Sequence, residues 1–251
     1  MRLRICTYNV CLHIYGLHQN YCNNFKLERL EKIIQWLREQ NFDIICLQEV
    51  FYSPAQRRLR KEFCQSYSIL SPKSYYCGLY NSGLMTLIRK DINILEIEEK
   101  QYQTQGNYFA RMFPRTCQVI KFESENIITT VANTHLTSPE FYSNCEAHDY
   151  YARRQLKEVL PLADIIAGDL NLDQLVDLDE KRQCSLFTQP TLNLRSFLVT
   201  KFTKNQKDSG HKDYILVPTD YECQFELSHV GESDHFPVIA TINPKVPVAS
   251  V

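Results

Sequence analysis

The chain has 251 residues, 44% of them apolar and 23% charged, with 28 Lys and Arg against 29 Asp and Glu and a formal net charge of −1. This excludes a disordered chain, which needs low hydrophobicity and a large net charge. It also argues against a protein that wraps nucleic acid over its whole surface, though not against a local basic cleft. The length fits a single domain over residues 1–251, since no repeat, linker or low-complexity tract divides the chain.

In chain order, residues 2–10 read as a strand. Phe25 to Gln40 reads as a helix with Leu27, Leu30, Ile33, Ile34 and Leu37 on one face and Glu28, Arg29, Glu31 and Lys32 opposite. Asp43 to Leu47 is a short buried strand. Ser53-Pro54 is expected to cap and start a helix over 54–66, whose Arg57, Arg58, Arg60 and Lys61 form a solvated basic face. Gly83 to Arg89, Thr116 to Phe122 and Asn126 to Leu136 read as strands. Ser138-Pro139 is expected to open a second long helix that stops at Pro161. Asp164 to Ala167 is a strand, residues 174–210 read as long polar loops, and three late strands follow near 212–217, 221–230 and 236–242. Strands with helices inserted between some of them predict an α/β (α+β) fold with two packed sheets and helices outside.

Ten cysteines form no CxxC pair and no zinc-type cluster. Cys6, Cys46 and Cys117 read as small apolar residues on strands. Thiols in this number suit a cytoplasmic or other reducing compartment. No stretch reaches the roughly 18 apolar residues that span a bilayer. Thr7, Tyr8, Asn9 and His13 interrupt the apolar run a signal peptide would need.

The chemistry gathers at strand ends. Asn9 ends Ile-Cys-Thr-Tyr-Asn, Glu49 ends Ile-Ile-Cys-Leu-Gln-Glu, and His135 follows Val-Ala-Asn-Thr. Asp169 and Asn171 end Ile-Ile-Ala-Gly-Asp-Leu-Asn, Asp213 begins Asp-Tyr-Ile-Leu-Val, and Asp234-His235 precede Phe-Pro-Val-Ile. Taken singly, each has a bland reading: Glu49 as a helix-start residue, Gly168 to Asn171 as a turn, Asp213 as a solvated edge residue. Strands of one sheet share their ends, however, so these residues can converge on one rim. Carboxylates such as Glu49 and Asp234 suit a hard cation, Mg²⁺ or Mn²⁺. Carboxamides orient phosphoryl oxygens, and imidazoles donate to them or move protons. Together they are the parts for metal-assisted attack of water on a phosphoester. No Gly-x-Ser-x-Gly elbow or Walker-type loop is present.

The motifs Thr7-Tyr8-Asn9-Val10, Leu47-Gln48-Glu49-Val50, Asn81-Ser82-Gly83-Leu84, Asn133-Thr134-His135-Leu136, Gly168-Asp169-Leu170-Asn171, Asp213-Tyr214 and Ser233-Asp234-His235-Phe236-Pro237 resemble those of the endonuclease/exonuclease/phosphatase superfamily of metal-dependent phosphoesterases. The resemblance implies a four-layer α/β/β/α sandwich of two mostly antiparallel sheets with one active site at a shared rim. It implies that Glu49 binds the metal, that Asn9 supports that site, and that Asp234 lies beside the metal or binds a second one. It further implies that Asp169 orients or deprotonates the attacking water, that Asn171 and His135 hold the phosphate, and that His235 binds phosphate or acts as acid/base, fixed by Asp213. Arg115 is a further candidate for phosphate contact.

Several stretches, Phe42 to Phe51 and Ser82 to Leu87 among them, look most like neutral sphingomyelinases. The expected substrate is therefore a phosphodiester in a phospholipid head group, with possible peripheral membrane contact and a monomeric enzyme. The alternatives are a nuclease or DNA-end-processing phosphodiesterase, an inositol-phosphate phosphatase, and a catalytically silent binding protein, which should show a substituted ligand or histidine and does not. A lipid enzyme should expose an apolar or aromatic rim, for which Tyr75, Tyr76, Tyr80, Tyr108, Phe109 and Phe113 are candidates. A nuclease should show a Lys/Arg stripe beside the metal.

Overall fold

The computed structural model describes residues 2–12, 23–75, 80–139, 142, 144–175, 182–185, 210–230 and 232–244. Strand β1 (Leu3–Leu12) leads through helix α1 (Asn23–Gln40) to β2 (Ile44–Val50), and helix α2 (Ser53–Phe63) follows. Then come β3 (Tyr67–Leu70), β4 (Ser74–Tyr75), β5 (Tyr80–Asn81), β6 (Met85–Arg89), β7 (Asn93–Gln101) and a short helix α3 (Tyr108–Met112). The second half holds β8 (Thr116–Ser124), β9 (Ile127–His135), α4 (Cys145–Val159), β10 (Ile165–Asp169), β11 (Arg182–Cys184), β12 (Asp213–Pro218), β13 (Tyr221–Leu227) and β14 (Val238–Pro244).

Two six-stranded sheets result, in the orders β13-β14-β1-β2-β6-β3 and β11-β12-β10-β9-β8-β7. Each has one parallel pair at its centre, β1 with β2 and β9 with β10, and antiparallel neighbours outside. Parallel neighbours need a crossover, and α1 and α4 are those crossovers. Three apolar clusters define the layers. One lies between the first sheet and α1 with α2, one between the two sheets, and one between the second sheet and α4. This is the four-layer α/β/β/α sandwich. Among the described residues no helix is long and apolar enough to cross a membrane.

Several local expectations are corrected. Ser53 does not cap α2: the cap is Tyr52, without a side-chain bond, and the helix stops at Phe63. The second long helix starts at Cys145 instead of Ser138, because Asn144 is extended and its side chain accepts from the Ala147 amide. The segment 174–210 contains β11, while residues 176–181 and 186–209 lie outside the described ones. Strands β3, β4, β5 and β7 lie where no strand is expected from the sequence. In α1, Leu27 is exposed and Arg29 is buried, the reverse of their reading from periodicity. Among the described residues Cys6, Cys46 and Cys117 are buried free thiols. Burial pushes the Cys6 and Cys46 thiols well up and Cys117 up to about 12, so these three behave as small apolar residues.

Gly168 pairs with Thr134 where β10 runs beside β9, and a Cβ there would lie 1.9 Å from the Thr134 carbonyl oxygen. Only glycine fits this approach. Gly168→Ala is therefore expected to destabilise the protein by about 3 kcal/mol in denaturant unfolding, because the strands must separate. A cost within experimental error would contradict the close approach.

Candidate active site

The parallel centre of each sheet sends two strand C-termini to the same rim, the usual position for a ligand crevice in such sheets. Asn9 and Glu49 leave β1 and β2 there, and His135 and Asp169 end β9 and β10. The antiparallel partners begin at that rim, so Asp213 at the start of β12, Arg115 before β8, and Asp234 and His235 before β14 also arrive. Positive φ values at Cys11 (49°), Glu49 (60°) and Asn171 (52°) lie at these exits. Non-glycine residues held in the left-handed region carry strain that persists where surrounding structure over-determines it.

Asp169 is the hub. Asn9 Nδ2 donates to its Oδ2 at 3.0 Å and the Asn171 amide to its Oδ1 at 3.0 Å. His135 Nε2 lies 3.5 Å and His235 Nε2 3.8 Å from the same Oδ2. His135 Nε2 is also 4.0 Å from Glu49 Oε1. His235 Nδ1 is 2.7 Å from Asp213 Oδ2. A carboxylate accepts, so Nδ1 carries the proton donated to Asp213 and Nε2 is turned toward Asp169. Asn171 Nδ2 donates to the Leu136 carbonyl at 3.3 Å. Asp234 is half-buried, with its Oδ1 3.1 Å from Ser233 Oγ, whose single proton goes to the Asn9 carbonyl at 2.7 Å. Arg115 is buried, and its backbone amide donates to Gln105 Oε1 at 2.8 Å.

Burial pushes the Asp169 carboxyl up to about 7, with Asp213 and Glu49 adding to the rise and His235 and Asn9 opposing it. For His235, burial alone would lower the pKa, but Asp213 and Asp169 outweigh it and hold the imidazole well above its ordinary value. Both groups thus hold a proton more tightly than in water, and their titrations are linked.

Ligand atoms of Asp169, Asp213 and His235 lie within 4.8 Å of one another, close enough to share a cation. Their side chains are nearly closed off, however, and His235 Nδ1 is already engaged by Asp213. The Glu49 side chain is 16% exposed against 2% for Asp169, so Glu49 is the more water-accessible of the two carboxylates. An oxygen donor reachable by water fits a hard, hydrated cation such as Mg²⁺.

Two motif residues with no assigned role prove to be structural. Gln48 Nε2 donates to Asn133 Oδ1 at 2.8 Å and to Thr7 Oγ1 at 3.0 Å. Asn133 Nδ2 donates to Thr86 Oγ1 at 3.0 Å, and Thr86 Oγ1 donates to Gln118 Oε1 at 2.8 Å. This buried polar layer crosses from one sheet to the other directly beneath Glu49 and His135, and such networks fix a unique arrangement. Asn81-Ser82-Gly83 supports the β2 exit. Gly83 accepts from the Val50 amide at 2.8 Å, its φ is 70°, and a Cβ would strike the Phe51 ring at 2.6 Å. A glutamine or asparagine inside an apolar strand was the available signal for the inter-sheet layer.

Helix α3 joins the rim end of β7 to that of β8. Tyr108 on it is 76% exposed and Met112 49%. Tyr75 and Phe113 are half-buried, while Tyr76 and the side chains of Tyr80 and Phe109 lie outside the described residues. The basic residues of α2 stand on the helical layer of the first sheet, where Arg58 pairs with Glu31 at 2.7 Å and Glu62 at 2.8 Å.

The structure is similar to sphingomyelinase C from Streptomyces griseocarneus (TM-score 0.74, 17% identity, covering 97% of this chain and 100% of that one). It is also similar to beta toxin from Staphylococcus aureus (0.74, 17%, 95% and 99%) and to TDP2 from C. elegans (0.67, 17%, 96% and 75%). At such identities the likeness shows the shared fold. No curated protein sequence matches the chain. Residues 6–235, nearly the whole chain, match the Endonuclease/Exonuclease/phosphatase family. The chain therefore belongs to that family, whose members are generally hydrolases acting on phosphoesters.

Proposed function

We propose that this protein is a divalent-metal-dependent phosphodiesterase and that its substrate is a phospholipid head group of the sphingomyelin type. The observation that carries the first part is the Asp169-centred cluster: one buried carboxylate between two imidazoles and two carboxamide residues, at the rim where strand ends of both sheets meet.

Asp169, positioned by Asn9 and Asn171, takes the proton of the attacking water. His135 donates through Nε2 to a phosphoryl oxygen as negative charge grows on it, and the protonated His235 gives its Nε2 proton to the departing alcohol oxygen as the P–O bond to that alcohol breaks. Asp213 keeps the His235 proton on Nδ1 and the ring oriented. Asn171 and Arg115 orient the phosphate. Glu49, with Asn9 and Asp234, would hold Mg²⁺ or Mn²⁺, which supplies charge neutralisation at phosphorus.

The lipid assignment is supported by exposed Tyr108 and Met112 on α3 at the site's own rim, and by the basic residues of α2 lying on another layer. An amphipathic rim suits a lipid–water boundary better than a phosphate backbone. The test is a substrate panel of sphingomyelin vesicles, inositol phosphates, single- and double-stranded DNA and RNA, each with Mg²⁺ and with EDTA. Phosphocholine release that EDTA abolishes is expected. Full turnover in EDTA overturns the metal assignment, and cleavage of DNA alone overturns the lipid assignment in favour of a nuclease.

Glu49→Gln replaces the charged oxygen donor with a neutral amide. It is expected to weaken Mg²⁺ binding by about tenfold or more in calorimetric titration, since a hard cation favours anionic oxygen. Unchanged affinity would move the metal to other residues.

A further inference from the structure

Arg29 sits on α1 among residues that periodicity assigns to the solvated face, yet it is 6% exposed. Its guanidinium is spent on backbone. The ladder of β1 with β14 ends at Thr7, opposite Val238, and the ladder with β2 shifts register between Asn9 and Leu12. The carbonyls of Asn9, Val10 and Cys11 therefore lie where regular pairing fails, and buried carbonyls need donors from elsewhere.

Side chains supply them. Ser233 Oγ donates to Asn9 O at 2.7 Å, Arg29 Nη2 to Val10 O at 2.9 Å, and Arg29 Nη1 to Cys11 O at 3.4 Å. The same guanidinium donates through Nε to Glu232 O. One planar fork thus holds the exit of β1, which carries Asn9, and the segment 232–235, which carries Asp234 and His235. These two segments are over two hundred residues apart in sequence and meet through Arg29 and Ser233. A lysine offers one flexible ammonium and cannot span both segments with fixed geometry.

We propose that Arg29 is a positioning residue of the active site, fixing Asn9 relative to Asp234 and His235 through backbone bonds to both segments. Only its kinetic consequence rests on the phosphodiesterase reading.

The experiment pairs amide hydrogen exchange on metal-free protein with steady-state kinetics for Arg29→Met, Arg29→Lys and Ser233→Ala. In Arg29→Met, exchange should speed about tenfold or more in residues 9–12 and 228–236, with β9 and β10 protected as in wild type. Its kcat should fall about 10–100-fold, the scale typical of outer-shell partners, with KM changed by less than about threefold. Arg29→Lys should show the same pattern more weakly. If Arg29→Met fails to fold, Arg29→Lys and Ser233→Ala each break part of the tie and must show the local exchange pattern. Exchange that is unchanged in those segments, or raised equally in every strand, overturns the proposal. So does a kcat within about twofold of wild type with the tie broken. If wild type turns over no phosphoester, the functional reading fails while the exchange pattern still decides the role of Arg29.

Discussion

His235→Ala should lower kcat by about 10²–10⁴-fold on the best substrate, the usual cost of removing a positioned acid–base group. The argument is geometric. Asp213 at 2.7 Å fixes the proton on Nδ1, and Nε2 then faces the pocket 3.8 Å from Asp169 Oδ2. Removal of the ring also deprives Asp213, which is wholly buried, of that donor, so a lower melting temperature is expected as well. Turnover must accordingly be measured well below the variant's melt. Asp213→Asn keeps the shape of the carboxyl but loses its charge, so a smaller loss in the same direction is expected. A folded His235→Ala protein within about tenfold of wild type would remove His235 from the mechanism.

Asp169→Asn should be as damaging, with kcat lower by about 10²–10⁴-fold, because the amide cannot accept the proton of the attacking water. It carries a second expectation, on stability. The folded chain raises this carboxyl to about 7, mainly by burial, whereas an unfolded Asp titrates near about 3.9. Between those values the folded state holds more proton than the unfolded state, so this group's contribution to stability declines as pH rises through the window. His235, raised above its ordinary value, acts in the same sense above about 6.5, where its contribution is lost as pH climbs through the folded pKa. In metal-free buffer the melting temperature of wild type should therefore fall more between about pH 5 and 8 than that of Asp169→Asn, which lacks the first titration. Parallel curves for the two proteins would show that Asp169 ionises normally in the fold, and the electrostatic account of the cluster would fail.

The sequence by itself determined the fold class. Apolar strand runs and the α1 periodicity are local patterns, and local patterns survive without knowledge of neighbours. It also determined which polar residues stand at strand ends, because Asn9, Glu49, His135 and Asp169 each close an apolar run within a few positions. The tertiary structure decided the rest, for reasons of distance along the chain. The Asn9–Asp169 bond joins residues 160 apart, and the Ser233–Asn9 bond joins residues 224 apart. No window of sequence contains such pairs, so the order of strands, and with it which imidazole faces which carboxylate, follows only from sheet register. Ser138-Pro139 looked like a helix start because its chemistry permits one, but Asn144 took that role when its side chain met a free amide. Arg29 looked solvated because helical charge usually is. It is buried because β1 loses its regular ladder beside it and leaves the Val10 and Cys11 carbonyls, which one guanidinium reaches together while also holding the Glu232 carbonyl.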